Sequence, residues 1–151
     1  MGLGPTVKAI SLWQPWASFI AVGVKRFETR SWATSYRGPL LICAAKRPCD
    51  DFLQATFAGI ERALRVRLGL EVVPGAFPLG VGIALVELAD CFRTEDVSFE
   101  MADEFERTLG DFTPGRFAWQ LENLRKVEPF AVKGRQGLFD VPVNGNILLV
   151  A

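Results

Sequence analysis

The sequence predicts an α+β fold: a mixed β-sheet curled into a small barrel, with inserted helices flanking a cleft. Three observations carry this expectation. Short apolar or alternating segments bounded by Gly and Pro recur along the chain, as strands do. Helical segments fall irregularly between them, without the regular strand–helix rhythm of a doubly wound sheet. Gly80-Val81-Gly82-Ile83-Ala84-Leu85 falls short of a dinucleotide fingerprint, and no phosphate-loop pattern occurs elsewhere. At 151 residues, half of them hydrophobic, the chain is expected to form one domain spanning 1–151.

The elements follow in order. Val7 to Leu12 reads as a short strand. Pro15 opens a helical stretch, Trp16 to Val22, and Gly23 closes it as a C-cap does. Lys25 to Arg30 alternates as a strand, Arg37-Gly38-Pro39 makes a turn, and Leu40 to Ala45 is a buried apolar strand. Pro48 and Asp50 announce a longer helix with Leu53, Phe57, Ile60, Leu64 and Leu68 on one face. Leu79 to Leu88 is a long β run, loosened at Gly80 and Gly82 as at a barrel corner. Met101, Phe105 and Leu109 follow helical spacing in an acidic segment. Short strands over Phe117–Leu121, Pro129–Val132, Gly137–Val141 and Ile147–Val150 finish the chain.

Composition removes several chemistries. There is no histidine, so Ser-His-Asp and Cys-His schemes and His-ligated metals are excluded. Cys43, Cys49 and Cys91 are too few and too widely spaced for a disulfide framework, and read as small buried hydrophobes in a reducing cytoplasm. No metal or other cofactor is expected. No apolar run approaches the ~20 residues of a membrane span, and the first residues lack a signal-peptide pattern, which predicts a soluble chain.

Seventeen basic residues balance seventeen acidic ones, but unevenly along the chain. Lys25, Arg26, Arg30, Arg37, Lys46 and Arg47 occupy one stretch with a single acid, Glu28. The stretch from Glu87 to Asp111 holds nine acids against Arg93 and Arg107, and a second basic group (Arg125, Lys126, Lys133, Arg135) lies near the end. Trp13, Trp16, Trp32 and Tyr36 surround the first basic stretch. Aromatics interleaved with Arg and Lys fit stacking on single-stranded bases between phosphate contacts. Gln14 adds an amide able to read a base edge. In Lys25-x-x-Glu28-x-Arg30, strand alternation puts Glu28 and Arg30 on one face and Lys25 on the other, unless a bulge intervenes. A Lys and a Glu in reach of each other can polarise a carbonyl and move a proton, while Arg30 can hold an oxyanion.

The pieces SLWQPWAS, Gly23-x-Lys25-Arg26-x-Glu28-x-Arg30, the following SW and YRGPL, and AAKRP together closely resemble the opening of an ASCH domain, the module named after the activating signal cointegrator. The likeness continues more loosely through LGVGIALVELADC, FAWQLEN and PFAVKGRQGLFDV. The resemblance implies a PUA-like barrel with a helix over a cleft, in a superfamily whose members bind RNA. It also implies a second activity, since some small bacterial ASCH proteins hydrolyse acetylated cytidine with a Lys, a Thr three positions later and a Glu on a later helix. Lys25 matches that lysine and Arg30 the following arginine. Glu28 stands where the nucleophilic threonine is found, Thr29 lies on the opposite strand face, and the later acid is Glu104 or Glu106.

Three functions follow. The leading one is a nucleic-acid-binding module, for RNA or a nucleotide before DNA, whose cleft is formed by Trp13, Gln14, Trp16, Lys25, Arg26, Arg30, Trp32, Arg37 and Lys46. The alternative is a nucleoside- or RNA-processing hydrolase, an amidohydrolase or a metal-independent ribonuclease, centred on Lys25, Glu28 and Arg30. The third is a protein-interaction module that docks through the acidic helix near Met101–Leu109.

Overall fold

The computed structural model describes residues 3–48 and 77–150. The expected helix through Leu53, Phe57, Ile60, Leu64 and Leu68 lies outside the described residues, as does Cys49. The described elements are β1 (Thr6–Leu12), α1 (Trp16–Ala21), β2 (Phe27–Arg30), β3 (Gly38–Ala44) and β4 (Val81–Arg93), then a short 3-10 turn (Thr94–Asp96), α2 (Glu104–Thr108), β5 (Phe117–Ala131) and β6 (Phe139–Pro142). The strands form one sheet in the order β2-β5-β4-β3-β1-β6, with β1 and β3 parallel and the other pairs antiparallel. The sheet curls into a half-barrel with a few short helices, an α+β architecture.

Its centre is β3, buried from Leu40 to Ala44. A strand covered on both faces can be apolar throughout, which is why LLICA shows no alternation. The two-residue period still sorts the side chains. Leu40, Ile42 and Ala44 join Ile10, Leu12 and Trp119 in one core cluster, while Leu41 and Cys43 join Val7, Ala9 and Phe139 in the other. Helix α1 caps the first cluster with Ala17 and Ile20. It stops at Gly23, whose φ of +86° suits a glycine C-terminal stop. At the far side of α1, Phe19 packs with Leu109, which ties the helix to the segment following α2.

Three expected elements differ. Phe117–Leu121 and Pro129–Val132 belong to one fifteen-residue strand, β5. The polar run Glu122–Lys126 is exposed and the β4 ladder shifts register three times beside β5, so local pattern hides the continuity. Ile147–Val150 forms no strand; Leu149 makes a single bridge to Val127, with Leu148, Leu149 and Val150 largely exposed. The acidic helix is only Glu104–Thr108, started by Asp103, whose side chain accepts the Glu106 N–H at 2.9 Å. Among the described residues, no helix is long and apolar enough to cross a membrane.

Candidate nucleic-acid interface

The corner between β1 and α1 places two indoles and buries an amide. Trp13 is half exposed and Trp16 partly so, whereas Gln14 is fully buried. Gln14 Nε2 donates to the Pro78 carbonyl at 2.8 Å, and its Oε1 accepts the Ser18 N–H at 3.0 Å, one of the free amides of the first helical turn. Gln14 therefore builds the corner, and with no exposed surface it lies outside the cleft lining and out of reach of a base. Pro15 is the capping residue itself, one position before the first turn.

Lys25 precedes β2, which begins at Phe27. Strand alternation therefore does not govern it, and Lys25, Glu28, Thr29 and Arg30 all border one cavity instead of splitting between two faces. The Lys25 ammonium is buried and donates to the Leu109 carbonyl at 2.6 Å. Desolvation pulls its pKa down, against the opposing charges of Glu28 and Glu106. Thr29 Oγ1 accepts the Asp111 N–H at 3.0 Å. Gly110 lies between these groups: a Cβ there would stand 3.0 Å from Thr29 Oγ1 and 3.4 Å from Lys25 Nζ, so only glycine fits without a shift. Of the two later acids, Glu104 is exposed and Glu106 is the one beside Lys25, with its Oε1 accepting the Arg26 N–H at 2.9 Å. Burial raises the pKa of Glu106, and the bond from Arg26 with the charges of Lys25 and Arg26 oppose the rise. Neither acid lines the cavity.

That cavity is an open cleft of about 1490 Å³, larger than most small-molecule sites. Trp13 and Trp16 form one part of its wall, Glu28, Arg30 and Trp32 another, and Lys46 a third. Trp32 is held edge-on against buried Trp119, with centroids 4.8 Å apart, and the Arg30 guanidinium lies 5.5 Å from its ring. The Arg47 guanidinium sits 3.7 Å over the Trp13 ring. Three expected residues lie elsewhere: Gln14 in the buried corner, Arg26 and Arg37. Arg26 borders a separate hollow of about 450 Å³ with Gln120 to Leu124, while its side chain pairs with Glu106 at 3.4 Å. Arg37 pairs with Asp90 at 3.5 Å and donates to the Thr34 and Tyr36 carbonyls.

The cleft also contains residues that sequence reasoning did not assign to it: Arg116, and the loop carrying Lys133, Arg135 and Gln136 between β5 and β6. The loop passes so close to β1 that a Cβ at Gly134 would meet Ser11 Oγ at 2.8 Å. Two glycines, Gly134 and Gly137, flanking an exposed arginine were the available signal, since they mark a tight loop in a basic segment.

Comparison with known proteins supports the same architecture. The ASCH domain family model matches residues 10–131. Activating signal cointegrator 1 of Mus musculus is 39% identical over 108 residues, covering 68% of this chain and 17% of that protein. The Homo sapiens protein of the same name is 39% identical over 99 residues, covering 62% of this chain and 16% of its own length. The chain thus spans about a sixth of the curated relatives it matches. Among solved structures, ASCH from Zymomonas mobilis superposes with a TM-score of 0.52 at 14% identity, over 91% of this chain and 87% of that one. A point variant of it gives 0.53 at 15% identity, over 92% and 89%. With its family model matched over most of its length and its half-barrel shared with solved members, this chain belongs to the ASCH domain family.

Proposed function

We propose that the cleft binds single-stranded nucleic acid, RNA in preference to DNA, by stacking bases on its tryptophans and holding phosphates with its rim. One observation carries this: a protein of zero formal net charge gathers Lys25, Arg30, Lys46, Arg116, Lys133 and Arg135 around one cleft, against Glu28 and Asp111 among the described residues. A local excess of that kind concentrates anions, and exposed indoles among the cations give unpaired bases a surface. A duplex would keep its base faces stacked and leave the tryptophans unused. The setting fits a reducing cytoplasm, because Cys43 is a buried thiol with its pKa pushed up to about 12 by burial, and Cys91 is unpaired.

The test is filter binding of short single-stranded RNA, single-stranded DNA and duplex RNA over a salt series. The expected order is single-stranded RNA first, with log affinity falling linearly in log salt at about 0.7 per phosphate contact. Absent or salt-insensitive binding overturns the proposal. Incubating the same RNAs and acetylated cytidine with the protein, with Glu28→Gln as the control, separates binding from hydrolysis.

A further inference from the structure

Two carboxylates, Glu28 and Glu106, each keep a buried oxygen without a hydrogen-bond partner among the described residues, and of the two only Glu28 lines the cleft. Glu28 is only 8% exposed, and its unpartnered oxygen is Oε2. A buried acceptor without a donor is costly, and more so when it is charged. Its neighbours on the same wall are satisfied: Lys25 by the Leu109 carbonyl, Thr29 by the Asp111 N–H. Gln14, the amide nearest in sequence, has both its ends engaged within the protein. Arg30 has its guanidinium 5.5 Å from the Trp32 ring and forms no ion pair with Glu28. An acceptor held in a cation-rich cleft between tryptophans thus lacks a donor, and a nucleobase entering the cleft can supply one.

Resting on the nucleic-acid binding proposed above, we propose that Glu28 selects guanine, its carboxylate accepting N1–H and N2–H from the Watson–Crick edge of an unstacked base. Guanine is the only standard base with two adjacent donors on that edge. Adenine and cytosine set a lone-pair nitrogen beside their single amino group, and uracil flanks its one imino N–H with two carbonyls. Those lone pairs face the carboxylate unfavourably, whereas the guanine pair matches its two oxygens. The guanine O6 lies next to N1–H, where the positive charge of Lys25 beside Glu28 favours the same base.

The experiment is fluorescence anisotropy with oligouridines of about eight nucleotides carrying one central guanosine, inosine, adenosine or cytidine, beside plain oligouridine. The wild-type protein is expected to bind the guanosine RNA roughly tenfold more tightly than the adenosine and cytidine RNAs, and severalfold more tightly than inosine, which lacks only the 2-amino donor. Glu28→Gln is expected to erase the preference while holding plain oligouridine as well or slightly better, because a negative charge has left a basic cleft. Equal binding of all five RNAs, or preference for another base, overturns guanine selection and leaves the binding cleft standing. Failure to bind any of them overturns both. The inosine comparison uses the wild-type chain, so it does not depend on the variant folding.

Discussion

The two basic stretches of the chain carry the same charge and use it differently. In the first, Lys25 is buried against the Leu109 carbonyl, Arg26 is paired with Glu106, and Arg37 is tied to Asp90 and two carbonyls. In the second, Lys133 and Arg135 are exposed at the cleft and, among the described residues, take part in no ion pair. A cation already bound within its own fold contributes little to a phosphate, because each new contact must first break an old one. Lys25, Arg26 and Arg37 therefore support the fold, while Arg30 and Lys46 of the first stretch join Lys133 and Arg135 of the second along the cleft. Position along the sequence counts charges; burial decides which are available.

The contrast is broken most directly at Lys25. Lys25→Met removes the cation whose charge opposes both Glu28 and Glu106, leaving Glu106 with Arg26 alone and Glu28 buried without it. The expected cost is about 3 kcal/mol of stability, read as a lower urea midpoint. An unchanged midpoint with weaker RNA binding would make Lys25 a ligand contact rather than a structural one. The second stretch should give the opposite pattern. Lys133→Ala with Arg135→Ala should leave the midpoint in place and weaken RNA binding more than tenfold at low salt, with the salt slope reduced by about 0.7 per lost contact.

Trp13 sharpens the comparison from the aromatic side. It is half exposed and backed by the Arg47 guanidinium, so Trp13→Ala removes a stacking surface without opening the core. A loss of roughly fivefold in affinity is expected in a titration with oligouridine, with little change in salt slope, because no phosphate contact is removed. Glu106 supplies a subtler signature. Its folded-state pKa is raised above the ordinary 4.5, so the folded protein keeps a proton that the unfolded chain releases. The stabilisation this gives is fully present below pH 4.5 and is lost as pH rises through the raised value. The difference in stability between wild type and Glu106→Gln should show that fall, measured by urea melts at a series of acidic pH values.

Much of the fold was legible because its centre obeys simple periodicities. LLICA is apolar without interruption because β3 is covered on both faces, and the WASFIA helix ends at the glycine that closes it. What stayed hidden depends on partners distant in sequence. β5 is continuous only because β4 supplies its ladder past a polar run, and nothing local in Ile147–Val150 says that its partner would offer a single bridge. At the site, Trp13, Trp16, Arg30 and Lys46 could be grouped from their nearness in sequence. The fate of Gln14 could not, since it depends on Pro78, sixty-four residues away. The loop carrying Lys133 and Arg135 reaches the cleft only through the close approach of Gly134 to Ser11, a contact that no window of the sequence contains.

Arg37 is the smallest and cleanest test of the principle that separates the two stretches. It stands among the basic residues that a reading of the sequence groups with the cleft, but it lies outside the cleft lining and its guanidinium is held by Asp90 at 3.5 Å. Both partners are substantially exposed, and ion pairs of that kind are worth well under about 1 kcal/mol. Arg37→Ala should therefore move the urea midpoint by no more than a few tenths of a molar and change RNA affinity less than about twofold. Its salt slope should match wild type, because no phosphate contact is lost. A slope reduced as far as in the variants of Lys133 and Arg135 would mean that the bound strand leaves the cleft and runs past the β2–β3 connection. The distinction between charges tied to the fold and charges facing the ligand would then fail at its simplest case.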